Sequence, residues 1–173
     1  YNIGLSILTA KKNVKVEDKK RNYNISSDYL SYEMNGEKFF TKGKTSALIQ
    51  SKYNIQSEDI TFLRNSMEIS STKSTTILDK NNLYNLGKFI YNINDEKLKG
   101  QKILINSNYN LPDSDKIYLS NAIIDFKNQN FLAKDTEIKI HKSIFNNPEN
   151  EPRLKGVSSS KKDNLTTINK GVF

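Results

Sequence analysis

Tyr23-Asn24-Ile25-Ser26-Ser27-Asp28 returns thirty residues later as Tyr53-Asn54-Ile55-Gln56-Ser57-Glu58. Looser copies follow at Tyr91-Asn92-Ile93-Asn94-Asp95-Glu96 and Tyr109-Asn110-Leu111-Pro112-Asp113-Ser114. Each copy reads as one supersecondary unit: a strand carrying Tyr-x-Ile or Tyr-x-Leu, a polar corner, then another strand. The spacing between copies is uneven, which argues against a solenoid of fixed period.

Around these units the apolar period is two. Val14 and Val16 alternate with Asn13, Lys15 and Glu17; Leu30, Tyr32 and Met34 alternate with Ser31 and Glu33. Ile60-Thr61-Phe62, Phe89 to Ile93, Ile117-Tyr118-Leu119, Ala122 to Phe126 and Ile138-Lys139-Ile140 continue the habit. Short alternating segments separated by Asn, Asp, Ser and Gly corners predict antiparallel strands. Helical spacing between Ala47 and Phe62 is overruled by the Tyr53 unit inside it. Asn35-Gly36 predicts a hairpin with a primed two-residue turn. About ten to thirteen strands are expected in one all-β domain covering residues 1–173, as a sandwich, jelly roll or β-helix-like coil. The alternation fades between Asn146 and Lys162, where Pro148, Pro152 and Ser158-Ser159-Ser160 predict loop. A strand resumes near Thr166.

Composition narrows the function classes. Hydrophobic residues make up 35% of the 173, below the roughly 45–50% apolar of ordinary domains even when glycine is added, so the core is expected to be thin or elongated. The absence of Cys excludes a disulfide framework, a thiolate metal site and a Cys nucleophile. Apolar runs such as Ile103-Leu104-Ile105 are far short of a spanning helix. The net charge of +8 comes from dispersed lysines, with Arg only at 21, 64 and 153. Base and phosphate reading leans on Arg, so no nucleic-acid partner is expected.

Catalytic chemistry finds little material. His141 is the only histidine and is expected on a strand's outer face. Asp28, Glu58, Asp59, Asp125 and Asp135 sit at corners or beside lysines, and paired acid/base work needs convergence and desolvation. Gly36, Gly43, Gly87 and Gly100 are isolated and build no phosphate loop. No enzyme, cofactor or metal is expected. What remains is a long inward row of aliphatic and aromatic side chains: an ordinary dry core, or a groove for something apolar.

Ile144-Phe145-Asn146-Asn147-Pro148-Glu149-Asn150-Glu151-Pro152-Arg153-Leu154-Lys155-Gly156-Val157-Ser158-Ser159, with Ile168-Asn169-Lys170-Gly171-Val172-Phe173 after it, resembles the periplasmic domain of the LptD (organic solvent tolerance, OstA) family of lipopolysaccharide-assembly proteins, in its α-proteobacterial form. Ala10 to Asp18 resembles that family's opening strand, Tyr23 to Tyr32 the next strand pair, and Phe131-Leu132-Ala133-Lys134-Asp135 a later return. The resemblance spans about residues 8–173 and implies a V-shaped β-jelly-roll (OstA/LptA-like) at the periplasmic face of the outer membrane. It implies that lipid A acyl chains of lipopolysaccharide slide between the two sheets towards the parent protein's membrane barrel, downstream of Phe173. The implied lipid contacts are Val14, Val16, Ile25, Leu30, Tyr32, Ile55, Ile60, Phe62, Tyr91 and Ile93. The implied partners are an LptA-like periplasmic bridge, docking on the first strand at Asn13, Lys15 and Glu17, the protein's own barrel, and an LptE-like lipoprotein plug. The family pattern runs on past Lys-Gly-Val-Phe, so the jelly roll is expected to be truncated at its end.

Energetics constrain such a groove. Burying acyl chains gains about 0.8 kcal/mol per CH₂, so roughly 50 methylenes would exceed the ~20 kcal/mol ceiling of non-covalent affinity. A conduit must therefore cover the chains in part and pass them on. Two other readings stand beside it: the soluble LptA-like bridge of the same pathway, and a secreted β-structured adhesin or scaffold.

Overall fold

The computed structural model describes residues 6–142, 152–163 and 165–172. Two long strands, β1 (Ile7–Asp18) and β2 (Tyr23–Glu33), open the chain. Eight short ones follow: β3 (Lys38–Thr41), β4 (Lys44–Ile49), β5 (Tyr53–Glu58), β6 (Thr61–Leu63), β7 (Glu68–Ser71), β8 (Thr75–Leu78), β9 (Asn82–Leu86) and β10 (Lys88–Asn92). Four long strands, β11 (Lys97–Ser107), β12 (Asp115–Asp125), β13 (Asn130–Lys139) and β14 (Arg153–Lys162), lead to β15 (Leu165–Asn169). All fifteen strands join one antiparallel sheet, so the chain is an all-β jelly roll of many antiparallel strands. The count exceeds the ten to thirteen expected because the chain breaks many strands at a common fold line.

That fold line organises the molecule. β2 pairs with β4 through residues 23–27 and with β3 through residues 30–33. At the other end, β11 pairs with β10 through residues 97–101 and with β9 through residues 104–107. Between them the short strands divide into two series, β3-β6-β7-β10 and β4-β5-β8-β9. The sheet is thus folded into two facing half-sheets, which we call A (β3 side) and B (β4 side). Short strands cross from one to the other at Gly43, at Asp59, at residues 72–74 and at Gly87. Gly43 holds φ 78° and Asp59 φ 52°, the left-handed region where a corner is tightest and where glycine and Asp are best tolerated. Long strands cross by bulging instead: Lys12 and Asn13 in β1, Lys102 in β11 and Asp135 in β13 all have positive φ, and a bulge bends its strand.

Inward hydroxyls line the fold line. Ser27, Thr41, Thr45, Ser57, Ser71 and Thr75 are buried there. Thr45 Oγ1 lies 2.7 Å from Thr41 Oγ1, and Ser57 Oγ 2.7 Å from Thr75 Oγ1. Thr41 Oγ1 accepts the Ile60 N–H at 3.0 Å, and the Ser71 hydroxyl donates to the Glu58 carbonyl at 2.7 Å. Where the sheet bends, ladder bonds are lost, and side-chain hydroxyls take over the buried backbone groups.

Several expectations are corrected. Arg153–Lys162 is a strand, β14, registered against β13, because pairing and not apolar alternation holds it. The part of the expected loop at residues 146–151 lies outside the described residues. The Asn35-Gly36 hairpin is real, but its loop spans residues 34–37 with positive φ at Glu37, so it is not a primed two-residue turn. His141 follows the end of β13, half-buried. Its backbone N–H donates to Asp115 at 2.9 Å and its Nδ1 lies 3.1 Å from Asp113.

Candidate lipid-binding interior

Period-two alternation places one side of the strands from β2 to β13 between the half-sheets. The resulting core runs from Ile25, Ala47 and Ile55 through Phe62, Ile69 and Ile77 to Leu98, Ile103, Leu119 and Ile124. It is one elongated apolar seam between half-sheets that are each seven strands wide from β2 to β12, not a sphere, as a chain poor in apolar residues dictates.

Of the residues implied as lipid contacts, Ile25, Leu30, Ile55, Ile60, Phe62, Tyr91 and Ile93 are each at most 4% exposed. All but Leu30 belong to one interior cluster, packed together and not lining an open groove; Leu30 is buried outside that cluster. Tyr23 meets Phe62 edge-on at 4.9 Å across the gap, and Phe39 stacks on Phe62 at 6.0 Å. Tyr53 and Tyr91 meet at 5.8 Å. Val14, Val16 and Tyr32 are half-buried, at the end of the seam that β1 covers. Tyr32 stacks on Phe39 at 4.4 Å. The sequence reading missed the seam's other half: Phe89, Leu98, Ile103, Ile105, Leu119 and Ala133. Their alternation was visible around Leu119 and Ala122, but nothing in it indicated that they continue the same seam.

The two rims opposite the fold line are held by side chains, not by a ladder. The Tyr53 hydroxyl donates to Glu96 at 2.9 Å, the Gln50 amide to the Ile93 carbonyl at 3.3 Å, and Arg64 lies 3.8 Å from Asp18. Phe126 plugs the gap, 5.0 Å from Tyr53 and 5.2 Å from Tyr84. Burial pushes the Tyr53, Tyr84 and Tyr91 hydroxyls well above their ordinary range, with the carboxylates of Glu96 and Asp79 reinforcing the first two. Among the described residues the Tyr91 hydroxyl has no hydrogen-bond partner, a buried polar point inside an apolar seam.

Among the described residues β1 pairs only with β2 and β15 ends the strand order, so each end of the sheet carries an edge with no further strand on it. Lys15 and Glu17 sit on the β1 edge, opposite Ser26 and Asn24. Asn13 does not belong to the regular ladder: the register breaks between Lys11 and Val14, so the expected three-residue edge is corrected to its part beyond the bulge. Among the described residues no group of three His, Asp or Glu side chains is placed to hold a metal ion. No family model matches this chain, and no curated protein matches it.

Proposed function

We propose that this chain is a lipid conduit that guides the acyl chains of lipopolysaccharide between its half-sheets at the periplasmic face of an outer membrane, and does no catalysis. The observation that carries the reading is the continuous apolar seam, running from Val16 on the edge strand β1 to Ala133 on β13. The filled centre of the seam means that acyl chains enter by parting the rims. Those rims are joined by a few side-chain contacts, of which the ion pairs are partly exposed and individually worth about 0–1 kcal/mol. Opening there costs far less than breaking a ladder. Tyr91 supplies a hydroxyl without a partner to an ester or hydroxyl of the incoming lipid. A bridge protein would extend the β1 edge by strand addition, keeping the chains out of water, and the barrel and its lipoprotein plug would receive them.

The test is photo-crosslinking with purified lipopolysaccharide, backed by native mass spectrometry of the complex. Crosslinkers at Val16 and Phe62 are expected to capture lipid, and one at Lys139 on the outer face is not. Equal capture from both faces would mean adhesion of an anionic lipid to a basic surface, and no complex at all would overturn the reading.

A further inference from the structure

We propose that the outer face of half-sheet A, across β10 to β13, is a docking surface for an anionic lipid bilayer. These side chains point away from the seam, so the proposal stands or falls separately from the conduit reading. Ile90 pairs with Lys99, Lys99 with Ile123, and Ile123 with Leu132. They form one cross-strand row about 14 Å long at the ~4.8 Å strand spacing. Ile90, Ile123 and Leu132 are 40%, 43% and 61% exposed. Beside this row runs a second, polar one that includes Lys88 and Lys134, and the two enclose a shallow trough of about 500 Å³.

Charge selects the occupant. Lys88, Lys99 and Lys134 line the trough and no Asp or Glu does. None of the three makes an ion pair among the described residues. The carboxylates nearest Lys99 and Lys134 in sequence are engaged elsewhere: Glu96 by the Tyr53 hydroxyl at 2.9 Å and Asp135 by Ser120 at 2.8 Å. A small anionic ligand calls for a cleft that covers most of its surface, and this trough is open along its length. A protein partner calls for aromatic or Arg anchors, with Lys depleted; here the one aromatic, Phe89, is buried in the core, and the exposed apolar side chains are aliphatic and the charged ones lysine. Aliphatic side chains at headgroup depth, flanked by lysines whose stems let the ammonium reach phosphates, are the composition a bilayer surface binds. The hollow on half-sheet B lacks it: Lys15 and Lys44 are accompanied there by Asp28, and Val14 is its sole aliphatic.

The test is co-sedimentation with phosphatidylglycerol–phosphatidylcholine vesicles, against phosphatidylcholine alone. The chain is expected to bind the anionic vesicles in preference, less so as salt rises. Lys99→Glu/Lys134→Glu and, separately, Ile123→Asn/Leu132→Asn are expected to lower partitioning at least about tenfold. Lys44→Glu/Lys116→Glu, the same charge change on half-sheet B, is expected to change it less than about threefold. Circular dichroism checks that each variant folds, and Leu132→Asn alone replaces the apolar double variant if that one does not. Equal loss in the half-sheet B variant, no loss on removing the aliphatics, or no preference for anionic vesicles would each overturn the proposal. Crosslinking of lipopolysaccharide at Val16 is expected to be unchanged in the trough variants, which separates this outcome from the conduit's.

Discussion

The Tyr53 hydroxyl donates to Glu96 Oε2 at 2.9 Å, joining the start of β5 to the turn after β10 and so one rim of the folded sheet to the other. Lys52 Nζ lies 3.6 Å from the same carboxylate but is largely exposed. A charge-assisted bond from a buried phenol is worth about 1.5–3 kcal/mol, and an exposed ion pair about 0–1 kcal/mol. Tyr53→Phe is therefore expected to lower unfolding stability in urea by about 1–2 kcal/mol, and Lys52→Ala by less than about 0.5 kcal/mol. Equal effects would assign the rim contact to the surface pair.

The same rim sets an alkaline limit. Tyr23, Tyr53, Tyr84 and Tyr91 are held above the ordinary value of 10.0, in each case chiefly by burial. The unfolded chain ionises these phenols near pH 10 while the folded chain keeps them protonated. Their contribution is thus complete below about pH 10 and is lost as the pH climbs beyond it. Tyrosinate absorbance from these four residues and loss of the β circular dichroism signal are expected to rise together, in one cooperative step. Full ionisation with the β signal intact would contradict their burial.

At the fold line the bonds that matter belong to hydroxyls. Thr41, 1% exposed, accepts the Ile60 N–H and lies against Thr45. Thr41→Val keeps the volume and leaves a buried N–H without a partner, a cost of about 1–3 kcal/mol. Thr41→Ser keeps the oxygen and gives up one methyl, about 1 kcal/mol. Thermal and urea unfolding are expected to rank Val below Ser; the reverse order would mean that packing, not the hydroxyl, fixes the corner.

How much of this was legible depended on which force held each part. Tyr23, Ile25, Tyr53 and Ile55 announced their strands because one face is buried, and burial writes alternation into sequence. The fold line was not legible. It is set by positive φ at Asp59, Lys102 and Asp135 and by a row of buried Ser and Thr, residue types that otherwise read as surface loop. For the same reason β14 reads as loop: Gly156 and Ser159, opposite the buried Thr136 and Ala133, carry no apolar side chain that would mark an inward face. Ile25, Ile55, Ile60, Phe62, Tyr91 and Ile93 share one interior, but alternation cannot tell a filled seam from an open one.

β14 and β15 approach so closely that only glycine fits. A Cβ at Gly156 would collide with Ile168 Cγ2 and stand 3.1 Å from the Asn169 carbonyl. Gly156→Ala is expected to release β15, giving faster amide exchange at Leu165–Asn169, with little change in the seam. Ile168→Ala removes the opposing methyl, so Gly156→Ala/Ile168→Ala is expected to restore part of the protection. Exchange unchanged in the single variant would mean that β15 is displaced at no cost.

The β1 edge offers the sharpest test of partner docking. In a strand, successive N–H groups point to opposite sides, so Lys15 and Val16 direct their donors one towards β2 and one outward. Both residues lie beyond the Lys12–Asn13 bulge, where β1 is again registered, Lys15 opposite Ser26 and Val16 opposite Ile25. Proline removes the donor at whichever position it occupies. One of Lys15→Pro and Val16→Pro is thus expected to break the internal ladder, lowering stability and exposing β2. The other is expected to leave stability nearly unchanged while abolishing strand addition by a bridge protein. Urea unfolding identifies which is which, and a pull-down with the bridge protein reads docking. Undiminished capture by the variant that keeps its stability would mean that β1 is not the docking strand, and the same proline scan along β15 would then decide whether the other free edge is.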